Sequence, residues 1–183
     1  MSHAALEPSA WVRRWSALVP AGATVLDAAC GSGRHVRWLA AARGARVTAL
    51  DRDAQVLGAL AGVAAEIVVA DIETRPWPLA GRRFDAVVVT NYLWRALLPT
   101  LVASVAEGGV LIYETFARGN ETVGRPSNPD FLLAPGELLR AAEGLRVVAY
   151  EDGFLDGPPE RFVQRIVAVR APALSSMPAR HPL

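Results

Sequence analysis

Three aspartates and two closely spaced glycines are the residues of this chain best placed to do chemistry. Asp27 follows Val25-Leu26 and leads into Ala28-Ala29-Cys30-Gly31-Ser32-Gly33, after which Arg34-His35 begins a helical pattern. Gly31 and Gly33 let backbone N–H groups approach a ligand that a Cβ would push away. The first turn of the following helix adds free N–H donors and the positive end of its dipole. A turn of this kind commonly receives a phosphate. Asp27 opposes an anion at the same place and favours a ligand that carries positive charge.

Asp51 ends the apolar segment 46–51, and Asp71 follows the segment 66–70. A carboxylate at Asp51 offers two oxygens to the two hydroxyls of a ribose. Asp71 can accept from an adenine amino group while the Ile72 N–H reaches a ring nitrogen. A nucleoside with an ammonium and a sulfonium suits the three acids together, and S-adenosylmethionine (SAM) is such a ligand. A nicotinamide dinucleotide suits them less well. Its G-x-G-x-x-G turn would need glycine at Val36, and Asp27 would face the pyrophosphate.

These residues need strands to carry them, and the chain alternates strand and helix signals. Trp11, Val12, Trp15 and Leu18 share one face of a helix over 9–18. Strands are expected over 24–27, 46–51, 66–70, 84–90 and 109–114. Residues 84–90 are a nearly continuous apolar run, as in a strand buried on both faces. Helices are expected over 33–42, from an Asp53 cap to 61, and over 95–106, with Pro99 disturbing the last. A helix over 135–142 and two antiparallel strands over 145–151 and 162–170 complete the pattern. Such alternation predicts a doubly wound α/β, Rossmann-like sheet. Ligands bind such sheets at the carboxyl ends of the strands. Residues 116–130 hold Gly119, Gly124, Pro126 and Pro129 and read as a functional loop.

The chain has 183 residues and a formal net charge of +1, which fits one domain and implies no strong field for nucleic acid. The domain is expected over 1–170, with a frayed tail over 171–183. All 19 basic residues are arginine, a pattern read as codon bias, with anion binding by arginine clusters the weaker alternative. A single cysteine excludes an internal disulfide and a cysteine metal cluster. No apolar stretch reaches the ~20 residues of a membrane span, and the N-terminus lacks a secretory pattern. A cytoplasmic protein, a monomer or weak homodimer, is the expectation.

Residues 25–35, Asp51, Asp71 and the Glu107-Gly108-Gly109 turn together resemble the class I SAM-dependent methyltransferases. Within that class the chain is similar to the small bacterial group related to tellurite-resistance methyltransferases. Phe84-Asp85-Ala86-Val87-Val88-Val89-Thr90-Asn91-Tyr92-Leu93 resembles that group's fourth-strand motif, and Tyr113-Glu114-Thr115-Phe116 and Gly124-Arg125-Pro126-Ser127-Asn128-Pro129 its substrate side. The resemblance implies a seven-stranded, mostly parallel sheet of order 3-2-1-4-5-7-6 with the last strand antiparallel. It implies SAM as cofactor, held by Asp27, Ala29, Cys30, Gly31, Gly33, Asp51, Arg52, Asp71, Ile72 and Asn91. Ala29 stands where the family often has glycine, and it fits if its φ is negative.

Methyl transfer is an in-line displacement that releases a neutral thioether, so catalysis is chiefly alignment. A base is needed only for a protonated, weakly acidic nucleophile. Asn91, Tyr92 and Glu114 are the candidate catalytic residues; Trp94, Arg95, Thr115, Arg125 and Asn128 are the candidate substrate residues. With no histidine among them, a small, anionic or soft acceptor and no metal are expected. Arg95 and Arg125 would orient an anion. Asn91-Tyr92-Leu93-Trp94 loosely matches enzymes that methylate exocyclic amines of nucleic acid or protein, without their prolines. An inactive SAM-binding partner subunit is the remaining alternative.

Overall fold

The computed structural model describes residues 7–172. At its centre, β4 (Phe84–Thr90) lies between β1 (Thr24–Ala28) and β5 (Val105–Phe116). Side chains alternate across a strand, so Ala86 and Val88 enter one layer while Val87 and Val89 enter the other. That double burial explains the apolar run. With β2 (Arg46–Asp51), β3 (Glu66–Val69), β6 (Arg146–Leu155) and β7 (Arg161–Val169), the sheet order is β3-β2-β1-β4-β5-β7-β6. Strand β7 runs antiparallel to both of its neighbours, and the other pairings are parallel. Order and direction are those the resemblance implied.

Helices cover both faces. On one, α1 (Ala10–Trp15) and α2 (Arg34–Arg43) bring Trp11, Trp15, Val36 and Leu39 onto Val25, Val47, Val88 and Ile112. Leu57 of α3 (Ala54–Gly58) and Leu60 join that core. On the other, α4 (Leu98–Ala103) and α5 (Glu137–Ala141) supply Leu98, Leu101 and Leu138 against Leu26, Leu50, Val87 and Leu111. No helix of the described residues is long and apolar enough to cross a membrane.

Several local expectations change. The helix expected over 95–106 is a 3-10 turn, Arg95–Leu97, followed by α4, with Pro99 in the first turn, where its missing N–H breaks no intrahelical bond. Strand β5 starts before the Glu107-Gly108-Gly109 turn: Val105 pairs with Phe84, then the register jumps to Ala86 with Val110. The glycine turn is therefore a bulge within the strand. A Cβ on Gly109 would lie 2.9–3.0 Å from three backbone oxygens, so only glycine fits there. Strands β6 and β7 extend to a pairing of Leu155 with Arg161.

The segment 116–130 is organised rather than featureless. It holds one single-turn helix, Asn120–Thr122, and leads into another, Pro129–Phe131. Buried Asn120 donates to the Pro126 carbonyl at 3.0 Å and accepts from the Phe162 N–H at 3.2 Å. Of the expected tail, 173–183 lie outside the described residues.

Candidate functional site

The carboxyl ends of β1, β2, β3 and β4 meet around a cleft of about 280 Å³ lined by Ala29, Asp51, Arg52, Ala70, Asp71, Ile72, Glu73, Asn91 and Tyr92. Parallel strands in register put Asp27, Asp51 and Asp71 at neighbouring strand ends. Asp51 is held in place by its own turn. Its Oδ2 accepts from the Gly31 N–H at 2.9 Å and its Oδ1 from the Asp53 N–H at 3.0 Å. Each oxygen keeps a lone pair for a further donor. Asp71 accepts from the Glu73 N–H at 3.0 Å and the Thr74 hydroxyl at 2.7 Å. The Thr74 hydroxyl foremost, then the Glu73 N–H, hold its carboxyl below the usual range.

Asp27 differs from both. It is 1% exposed, it is not part of the cleft lining, and neither carboxylate oxygen has a hydrogen-bond partner. Burial pushes its pKa up to about 7; Asp51 adds to the rise and Arg34 opposes it. An unpartnered buried carboxylate is a demand for a proton or a cation.

The glycine turn packs for reasons the motif does not show. Gly33 has φ +72°, and a Cβ there would come within 2.4 Å of the Leu60 side chain. Gly31, at φ +52°, faces open space. Ala29 departs from expectation: its φ is +54°, not negative. Asn91 has the same φ, and these two are the described non-glycine residues in the left-handed region. Both line the cleft. Backbone strain of this sort persists where the surrounding fold enforces it, commonly at functional sites. Cys30 is a packing residue. Its N–H donates to the Leu50 carbonyl at 3.0 Å, and burial first, then Asp27 and Asp51, push its thiol far up, keeping it protonated.

A second cleft of about 280 Å³ adjoins the first and shares Glu73, Asn91 and Tyr92 with it. Leu93, Thr115, Phe116, Pro126 and Phe131 complete its walls. Of the expected substrate residues, Thr115 alone is there. Arg95 is committed elsewhere. It pairs with Glu137 at 2.7 Å and donates to the carbonyls of Asp130 at 2.6 Å and Leu132 at 2.7 Å. It clamps the end of the loop to α5 and is not free to orient an anion. Trp94 and Arg125 are exposed and line neither cleft. Asn128 caps the turn Pro129–Phe131 by accepting from the Asp130 N–H at 3.0 Å.

Two candidate bases change role. Glu114 is 3% exposed, accepts from the Ser9 hydroxyl at 2.8 Å and pairs with Arg165 at 3.3 Å. It belongs to a buried network and lines neither cleft. The Tyr92 hydroxyl is buried without a partner, and burial, reinforced by the Glu73 charge, pushes its pKa well up. It is a donor at neutral pH and no base. His35 accepts from the Ser9 N–H at 3.1 Å through Nε2, so its proton sits on Nδ1, 3.4 Å from the Thr90 hydroxyl. Burial, and secondarily Arg34, lower its pKa to about 3, so it stays neutral. Phe116 and Pro126 come from the segments read as the substrate side, while Glu73, Leu93 and Phe131 were not singled out. Glu73 had one signal, its place two residues beyond a strand-end acid in the same turn.

A seven-stranded sheet of this order with a cleft across its strand ends is the fold of the class I SAM-dependent methyltransferases. Residues 25–109 match the family model described as "Methyltransferase domain". No curated protein matches the chain. Among solved structures, TehB from Haemophilus influenzae superposes with a TM-score of 0.69 at 19% identity, over 87% of this chain and 61% of its own. The chain thus spans less than two thirds of TehB. A TehB-like SAM-dependent methyltransferase from Corynebacterium glutamicum gives 0.63 at 22% identity, over 91% of each chain. The glycopeptide N-methyltransferase MtfA, in complex with SAM, gives 0.59 at 21%, over 89% of this chain and 94% of its own.

Proposed function

We propose that the protein is an active SAM-dependent methyltransferase with a small-molecule acceptor. The observation that carries this is the pair of adjoining clefts, one at the strand-end acids and one behind it, joined at Glu73, Asn91 and Tyr92. SAM, when bound, supplies a methyl group on a sulfonium. Asp51 would hold the ribose hydroxyls with the lone pairs left by Gly31 and Asp53. Asp71 and Ile72 would meet the adenine, and the turn from Ala29 to Gly33 the methionine portion. The complex of MtfA with SAM supports the same ligand here.

The second cleft would seat the acceptor. Alignment of nucleophile, methyl carbon and sulfur in this largely apolar cleft supplies most of the rate. Both clefts are of small-molecule size, and the net charge of +1 gives no field for a nucleic acid. Calorimetric titration with SAM, followed by labelled-methyl transfer into small-metabolite, RNA and protein fractions, tests the proposal. Binding with label in the small-metabolite fraction is expected. No binding of SAM removes the cofactor assignment, and label confined to RNA or protein removes the acceptor class.

A further inference from the structure

We infer that the acceptor group is an amine, received by the Glu73 carboxylate where the two clefts join; the inference rests on the SAM-dependent methyltransferase reading above. The second cleft contains no arginine, lysine or histidine in its lining, and its one carboxylate is Glu73. Among the described residues that carboxylate forms no ion pair. The buried hydroxyl of Tyr92 faces the Glu73 carboxylate, close enough for its charge to act on it, and Arg52 of the first cleft acts on it as well. Leu93, Phe116, Pro126 and Phe131 surround the pair with apolar surface. Arg95, which an anionic acceptor would need, is spent on Glu137 and two loop carbonyls.

This arrangement opposes a carboxylate, thiolate or oxyanion in the second cleft, because the one charge in its lining is negative and the neighbouring cation, Arg52, belongs to the first cleft. It suits an amine throughout the reaction. The amine loses one proton to solvent before attack, and its remaining N–H donates to Glu73. The nitrogen lone pair forms the new N–C bond as the C–S bond breaks, and the C–S electron pair stays on sulfur. Positive charge thereby moves from sulfur to nitrogen, onto the atom beside the carboxylate. A preplaced charge that complements the developing one lowers the barrier.

The test uses the whole protein saturated with S-adenosylhomocysteine (SAH), the demethylated product. Aralkylamines of graded length are titrated calorimetrically beside carboxylates of the same length. At least one amine should bind about tenfold more tightly than its counterpart and be methylated on nitrogen when SAM replaces SAH. Glu73→Gln should weaken that amine roughly 10–100-fold, the span of a hydrogen bond to a charged group, with SAH binding little changed. Should Glu73→Gln also lose SAH, Glu73→Asp decides, since it keeps the charge and must keep the preference for the amine. The inference is overturned if no amine outbinds its counterpart, or if Glu73→Gln binds the amine as well as the parent does. Failure of the parent protein to bind SAM or SAH is a different result: it strikes the methyltransferase reading first.

Discussion

Replacing Asp27 by asparagine should stabilise the ligand-free protein, and only on the alkaline side. Burial pushes the folded carboxyl up to about 7, against about 4 for an aspartate in the unfolded chain. The unfolded chain therefore loses this proton first as pH rises, and between the two values it binds fewer protons than the folded state. Stability falls with pH across that window. The penalty is absent below about pH 4 and complete above about pH 7, where a gap of about three pH units at ~1.4 kcal/mol each makes it about 4 kcal/mol. Asparagine cannot ionise. Its amide N–H groups would be unpaired in the same place, but that cost is the same at every pH and cancels between two conditions. Comparing pH 5 with pH 8, the stability difference between variant and parent should grow by about 2–3 kcal/mol. With a urea slope of about 2–3 kcal/mol/M, the relative midpoint moves by roughly 1 M. Parallel urea unfolding curves at the two pH values measure it. A difference that stays constant would show that Asp27 is already ionised and solvated in the fold, and would remove the reason for expecting it to demand a cation.

Asp51→Ala should weaken SAM binding by about 1.5–3 kcal/mol, because it deletes the diol acceptor and releases the Gly31 N–H; unchanged affinity by calorimetry would remove Asp51 from the site. Arg95→Ala should cost about 1–2 kcal/mol, modest because the guanidinium is partly exposed, and should speed amide exchange over 130–133 while leaving SAM affinity intact. Protection unchanged in hydrogen-exchange measurements would show that the clamp does not hold the loop. Ala29→Gly should raise stability by about 1 kcal/mol by relieving a left-handed alanine, read as a higher urea midpoint; a lower midpoint would contradict the strain.

The sheet was legible because its signals are local. Alternating segments, an apolar run at 84–90 and acids at strand ends each declare themselves within a few residues, and parallel register then brings the acids together. The first cleft was legible for the same reason: six of the expected cofactor residues line it. The second cleft was legible only in part, through Thr115, Phe116 and Pro126 in the segments read as the substrate side. Leu93, Phe116, Pro126 and Phe131 are apolar residues from separate segments, and nothing in their type distinguishes a cavity wall from a core. Arg95 looked available because its partner Glu137 is 42 positions away. Glu114 looked like a base at a strand end, but the side chains that occupy it are Ser9 and Arg165, near opposite ends of the chain. The φ of Ala29 is fixed by the turn that holds it, and its residue type argued for the opposite sign.

The buried network under α1 has a consequence for the order in which the protein is made. Ser9 bonds to His35 and Glu114, and the Trp11 indole N–H donates to the Ile166 carbonyl at 3.4 Å. Arg165 lies over the Trp11 ring, 4.8 Å from its centre. A helix that precedes the whole sheet is thus completed by partners on its last strand, 155 positions further along the chain. During translation the strands around β1 and β2 can pair as they emerge, but α1 must wait, its tryptophans uncovered, until β7 has left the ribosome. The slowest contacts to close are those of greatest sequence separation, and here they join α1 to β7.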